Sequence, residues 1–190
     1  MKYIDEELPS QIIARDKYVG EINIPDGEID ITDPCYDSDT WCAMFNHKIK
    51  PGKYKCYITQ VNFPNKYEVE KGDTMFKLHK PGDIVIADDI RIMSLKIVHE
   101  TESINVIDNC EIINDDIGVD AGLCGFYSHK PNYNDDEWAK FCDELGDDYP
   151  TCICKEDGIT VSSGFGDGVY TLKEAKNKNE ENVALELLFY

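Results

Sequence analysis

The sequence predicts an α+β fold that is predominantly antiparallel β, a sandwich or curved sheet with one lateral helix at about residues 134–145. Three observations carry this expectation. Short β-favouring runs recur along the chain and are cut by turn dipeptides such as Pro51-Gly52 and Asp33-Pro34. A single segment has helical periodicity with a start and a stop signal. The composition, 42% hydrophobic with seven Phe, eleven Tyr and two Trp in 190 residues, supports a buried core and excludes a disordered chain. That length suits one domain spanning residues 1–190.

Taken in order, Ser10 to Arg15 reads as a short helical turn. Val19, Ile22 and Ile24 then lead to the turn Pro25-Asp26-Gly27, and Glu28 to Ile31 alternates with period two, so the pair reads as a hairpin. Lys53 to Val61 follows as a strand with Tyr54, Cys56 and Ile58 on one face. Asn62 to Gly82 is turn-rich, with a short strand expected at Met75 to Leu78. Asp83 to Ala87 and Ile90 to Val98 are strands. The apolar side switches within the second, which implies a bulge or burial of both faces.

Gly118 to Tyr127 reads as one glycine-rich strand. Asn134 opens the helix as its cap, with Glu137 three residues on. Trp138, Phe141, Cys142 and Leu145 form its apolar stripe, and Gly146 ends it. Ile159 to Ser162, Gly168 to Lys173 and Val183 to Tyr190 complete the strands, the last two pairing across the polar loop 176–182.

The chain carries 38 acidic and 19 basic residues, a formal charge of −19. Such a charge opposes direct binding to nucleic acid or to anionic membranes. It suits solubility, docking on a basic partner, or mimicry of a polyanion. The exception is Lys48 to Lys80, with eight Lys and three acids, which either neutralises neighbouring carboxylates or forms an anion-binding lip. Aromatic residues near it (Tyr54, Tyr57, Phe63, Tyr67 and Phe76) have the spacing of strand side chains. Met1 to Ser10 lacks an apolar leader, and no window has the length of a membrane span, so a cytoplasmic location is expected.

Without a leader, the eight Cys are expected as thiols, with Cys56 and Cys142 in the core. Cys152-x-Cys154 does not have the spacing of a zinc pair. The four His are scattered, and a Cys/His nucleophile would have to come from Cys35 or Cys42 with His47 or His129.

Three segments stand apart as candidate site. They are Thr32 to Tyr36, Gly118 to Gly122 and Ser162 to Tyr170, each placing an Asp beside Gly or Pro at a strand end. Glycine admits close backbone approach, and successive N–H groups can cradle an anion. The ligand-binding candidates are therefore Asp33, Tyr36, Asp120, Ser163, Gly164, Phe165, Gly166, Asp167 and Tyr170. If Asp33, Asp120 and Asp167 share one place, they suit a divalent metal instead. Asp-Pro and Asp-Gly are also ordinary turn chemistry, and both readings stand at this point.

These segments resemble a bacterial and phage family of unknown function, the DUF4241-like proteins. The resemblance covers roughly residues 27–190. It is carried by Asp33-Pro34, Pro51-Gly52-Lys53-Tyr54, Val119-Asp120-Ala121-Gly122, Ser163 to Tyr170 and the closing strand Val183 to Tyr190. Phe165 stands where Trp is usual, and Leu172 departs from the usual Pro or Val-Tyr pair. The resemblance implies a shared fold and a setting of bacterial or phage conflict, and it implies no activity.

The leading expectation is a non-catalytic binding or inhibitory protein. It would sequester a small anionic, nucleotide-like ligand or block a partner protein. The alternatives are a divalent-metal-dependent phosphoester hydrolase using Asp33, Asp120 and Asp167, and an acidic DNA mimic. No other cofactor is expected.

Overall fold

In a computed structural model, which describes residues 1–146 and 150–190, the chain is mostly antiparallel strand. The first strands are β1 (Lys2–Ile4), β2 (Gln11–Ile24), β3 (Glu28–Thr32), β4 (Met44–Lys48) and β5 (Gly52–Asn62). Then come β6 (Asn65–Glu68), β7 (Ile84–Ala87) and β8 (Ile90–His99). A 3-10 turn (Ile104–Asn109) leads to β9 (Glu111–Val119) and β10 (Leu123–Tyr127). The helix α1 (Asp135–Leu145) precedes β11 (Cys152–Lys155), β12 (Gly158–Ser162), β13 (Gly168–Lys176) and β14 (Asn182–Leu188).

Among the described residues these strands form three sheets. Six strands run in the order β2-β5-β8-β14-β13-β9, five in the order β11-β12-β10-β3-β4, and β1-β6-β7 make a small third sheet. The two larger sheets enclose the main core. Ile29, Ile31, Phe126, Ile159 and Val161 come from one side, and Tyr54, Ile58, Leu95, Ile97, Leu172, Leu185 and Leu187 from the other. Their period-two spacing puts one face of each strand inward. The outer face of the six-stranded sheet is covered at one end, where Val98, Ala175 and Ala184 lie under Ile104, Val106 and Ile107 of the 3-10 turn.

Strand β8 carries the irregularity expected from its shifting pattern. Thr59 pairs with Ser94 and Gln60 with Ile92, which leaves Met93 as an extra residue. The bulge turns both Ile92 and Leu95 into the core. The pairing of β13 with β14 is also as expected.

Several elements differ from expectation. Gln11 to Arg15 is not helical; it opens the long strand β2, where pairing with β5 overrides the local preference. The turn at Pro25-Asp26-Gly27 does not make a hairpin. β2 pairs with β5, while β3 pairs with β4 and β10, so this turn is a corner carrying the chain from one sheet to the other. It lets Ile22 and Ile24 face Ile29 and Ile31 across the core rather than along one sheet.

Gly118 to Tyr127 divides in the same way, Val119 ending β9 in the larger sheet and Leu123 opening β10 in the smaller. Met75 to Leu78 is turn rather than strand, and Leu78 is exposed. The capping box on α1 is formed as expected, Asn134 and Glu137 bonding each other's backbone N–H. Of the helix stripe, however, only Phe141 is buried; Cys142 is exposed, and Trp138 and Leu145 are half-buried. The helix lies at the rim, and Tyr133 rather than the sheet core stacks on Phe141, with centroids 5.1 Å apart.

Phe126 is fully buried between the sheets. Phe126→Ala is expected to lower the unfolding free energy in urea by about 3–5 kcal/mol. Cys142→Ser, on the exposed side of α1, is expected to change it by less than about 0.5 kcal/mol.

Candidate functional site

The three Asp-bearing segments do meet, and the side chain that joins them is Asp33. It directly follows β3 and is fully buried. A carboxylate without solvent must be hydrogen-bonded on both oxygens. Its Oδ1 accepts from the Cys35 N–H at 2.9 Å and from the Cys35 thiol at 3.0 Å. Its Oδ2 accepts from the N–H groups of Asp120 and Ala121 at 2.9 and 2.7 Å. The turn between β9 and β10 is thereby fastened to the turn after β3.

Further bonds extend the junction. The Gly118 N–H donates to the Cys42 carbonyl at 2.8 Å, and the Tyr36 hydroxyl bonds the Cys42 side chain. The Ser163 N–H donates to the Gly122 carbonyl at 3.0 Å, which brings in the third segment.

The third segment is a closed turn. The Gly166 N–H donates to Ser163 O, the Gly164 N–H to Ser162 O, and Ser163 Oγ to Gly166 O. The Tyr170 hydroxyl reaches both Ser163 O and Gly166 O, at 3.1 and 2.7 Å. Gly164 is required because its φ is 46° and a β-carbon there would collide with the Phe189 carbonyl oxygen. Arg91 donates to the Gly164 carbonyl at 3.1 Å and lies 4.6 Å over the ring of Phe165. Phe165 is exposed, with Phe63 at 5.2 Å on the same ring. The glycines therefore shape a turn, and the N–H groups of Gly164 and Gly166 are bonded inside it.

Convergence of the segments does not bring their carboxylates together. Asp33 is enclosed by its four donors, while Asp120 and Asp167 are exposed. Among the described residues no three His, Cys, Asp or Glu side chains group as ligands for a metal ion. The set Asp33, Asp120 and Asp167 is thus not a shared coordination sphere.

The histidines are separately engaged. His47 contacts Glu174 at 2.9 Å, His129 contacts Asp26 at 3.4 Å, and His99 lies against Thr101 and the Pro51 carbonyl. Cys35 is not an activated thiol. Partial burial, then the hydrogen bond to the Asp33 carboxylate, push it up to about 12. Near neutral pH it stays protonated and non-nucleophilic.

The surface hollow lies beside this junction. It has a volume of about 470 Å³, and its floor is the Pro34 to Asp39 turn, which follows directly from Asp33. The opposite wall is the start of α1, with Tyr133, Asp135 and Trp138. Tyr133 and Trp138 have centroids 5.7 Å apart, and both rest on Phe141. Three carboxylates line the hollow, Asp37, Asp39 and Asp135, against one ammonium, Lys130. Burial lowers the Lys130 pKa, against the opposing pull of Asp37, and its Nζ donates to the Pro131 carbonyl at 3.1 Å.

Of the residues singled out from sequence, Tyr36 lines this hollow, and Asp33 holds up its floor without facing it. Ser163, Gly164, Phe165, Gly166, Asp167, Tyr170 and Asp120 are not part of its lining. Sequence reading missed Asp37, Asp39, Lys130, Tyr133 and Trp138 as a group. The available signal was the Asp-Ser-Asp run directly after the Asp33 turn, together with aromatic residues around a helix cap.

No protein-family model matches the sequence, and none of the curated proteins or solved structures matches it.

Asp33→Ala would leave two part-buried backbone N–H groups of the β9–β10 turn without their acceptor. It is expected to lower the unfolding free energy by about 3–5 kcal/mol, read from urea denaturation. In the wild-type protein Cys35 is expected to react with iodoacetamide at pH 8 at least ~100-fold more slowly than a small free thiol, measured by peptide mass spectrometry.

Proposed function

We propose that the chain is a non-catalytic binding protein that takes a basic segment of a partner protein into the hollow beside the Asp33 junction. The observation that carries this reading is the lining: the three aromatic rings of Tyr36, Tyr133 and Trp138 flanked by Asp37, Asp39 and Asp135, with Lys130 the single cation. A lysine or arginine side chain entering there meets ring faces and carboxylates together, the two features that stabilise a desolvated cation. The net charge of −19 adds long-range attraction for such a partner.

A small anionic ligand is less well served. Lys130 donates to Pro131, the first turn of α1 carries Asp135, Asp136 and Glu137, and the Gly164 and Gly166 N–H groups bond within their own loop. The setting that the sequence resemblance implies, conflict between bacteria and phages, suits a protein that acts by occupying a partner.

Isothermal titration of the whole protein with a short arginine- and lysine-rich peptide is expected to give saturable binding. That binding should weaken at least tenfold between about 0.05 and 0.5 M salt. Trp138→Ala and Asp39→Asn should each weaken it a further three- to tenfold, roughly the size of a lost cation–π or ion-pair contact. Tight binding of mononucleotides with none of the basic peptide, or peptide binding indifferent to both variants, would overturn the proposal.

A further inference from the structure

Away from the hollow, a second group of chemically competent side chains lies where the two large sheets meet at one edge. Cys56 belongs to β5 in the six-stranded sheet and is buried. Cys152 and Cys154 belong to β11, the edge strand of the five-stranded sheet, and lie two residues apart on one side of it. The edge strand β2 lies against β11, and its Gly20 pairs with Cys56.

The backbone of β2 is arranged to let the sulfurs meet. The register of β2 against β5 shifts between Tyr18 and Gly20. Gly20 has a φ of 149°, and a β-carbon on it would lie 2.6 Å from Cys154 Sγ. Any other side chain at this position would fill the space that the Cys154 thiol occupies. Cys56 stands opposite Gly20 on β5, so its side chain faces the same opening, and Cys154 packs against the core cluster that holds Cys56. Cys154 is half-buried and lines a hollow of about 300 Å³ with Lys53, Lys155, Glu21 and Glu156, so a small solute reaches it from outside.

We propose that Cys56 and Cys154 are a peroxide-sensitive dithiol that closes to a reversible disulfide across the two sheets. The pair divides the work by environment. The neighbouring Cys56 side chain holds the Cys154 thiol below its usual value, while Cys154 and burial raise Cys56. Cys154, half-buried and open to solute, is the attacking thiolate, and the enclosed Cys56 is the resolving thiol. By contrast, burial pushes up Cys35, Cys110, Cys124 and Cys152.

The oxidant is a hydroperoxide. The Cys154 thiolate attacks its terminal oxygen, the O–O bond breaks, and the alcohol or water leaves, giving a sulfenic acid on Cys154. The Cys56 sulfur then attacks the Cys154 sulfur. The S–S bond forms, the S–O bond breaks, and the hydroxyl departs as water with the Cys56 proton. Two thiols lose two electrons in total and the peroxide gains them.

The test is to treat the intact protein with stoichiometric hydrogen peroxide, block remaining thiols with iodoacetamide, and map peptides by mass spectrometry. The expected product is a linked pair of peptides holding Cys56 and Cys154, reversed by dithiothreitol, with the Tm raised by roughly 5–10 °C. Cys154→Ser should abolish the link and the Tm shift, Cys152→Ser should leave both in place, and Cys56→Ser should leave a dimedone-trappable sulfenic acid at Cys154. A link between Cys152 and Cys154, dimedone labelling of wild-type Cys154 without a link, or equal modification of all the cysteines would each overturn the proposal. Cys154 is only half-buried, so its substitution keeps the test decisive even where loss of Cys56 impairs folding.

Discussion

One buried carboxylate holds the hollow-bearing end of this molecule together. Asp33 stands where β3 leaves the five-stranded sheet, and its oxygens accept from the turn it begins and from the turn joining β9 to β10. That second turn is a crossing between the two sheets. The floor of the 470 Å³ hollow follows Asp33 immediately, so its shape depends on where this carboxylate is anchored. The Ser163 turn is tied in one bond further along, through Gly122. A cluster that looks like a polar site in sequence is thus chiefly a joint, and the hollow is what the joint supports.

This division explains why the glycine-rich motifs misdirect a reading for ligands. Anion cradles and closed turns use the same residues, glycine next to Asp or Ser, because both need left-handed backbone and short side chains. What separates them is whether the N–H groups point outward. At Gly164 and Gly166 they point into the turn, and Tyr170 fills the remaining space. The hollow, in contrast, takes only Pro34, Cys35 and Tyr36 from the three Asp-bearing segments, and its carboxylates and its other two aromatic rings lie outside them.

Much of the fold was legible because it follows from local rules. The period-two burial of Tyr54, Cys56 and Ile58, the bulge in β8, the β13–β14 pairing and the capped helix were all visible in the residue pattern. Partner choice was not. Pro25-Asp26-Gly27 has the chemistry of a hairpin turn, yet whether it reverses a strand within a sheet or turns a corner depends on β5 and β10, distant in sequence. The same holds for Gly118 to Tyr127, where a continuous apolar run hides a change of sheet. Convergence of the three segments on Asp33 was foreseeable as a possibility from their common placement at strand ends. The hollow was not foreseeable, because Asp37 and Trp138 lie some hundred positions apart and nothing local links them.

The strand order has a consequence for how the chain reaches this state. β14 lies in the middle of the six-stranded sheet, between β8 and β13, although it is the last strand in sequence. Without residues 182–188, β2, β5 and β8 have no hydrogen-bonded link to β13 and β9 in this sheet. Leu185 and Leu187 of β14 are the neighbours that join the inward faces of Leu95 and Leu172. The six-stranded sheet is therefore complete only with β14 in place, and its closure depends on pairings of high sequence separation.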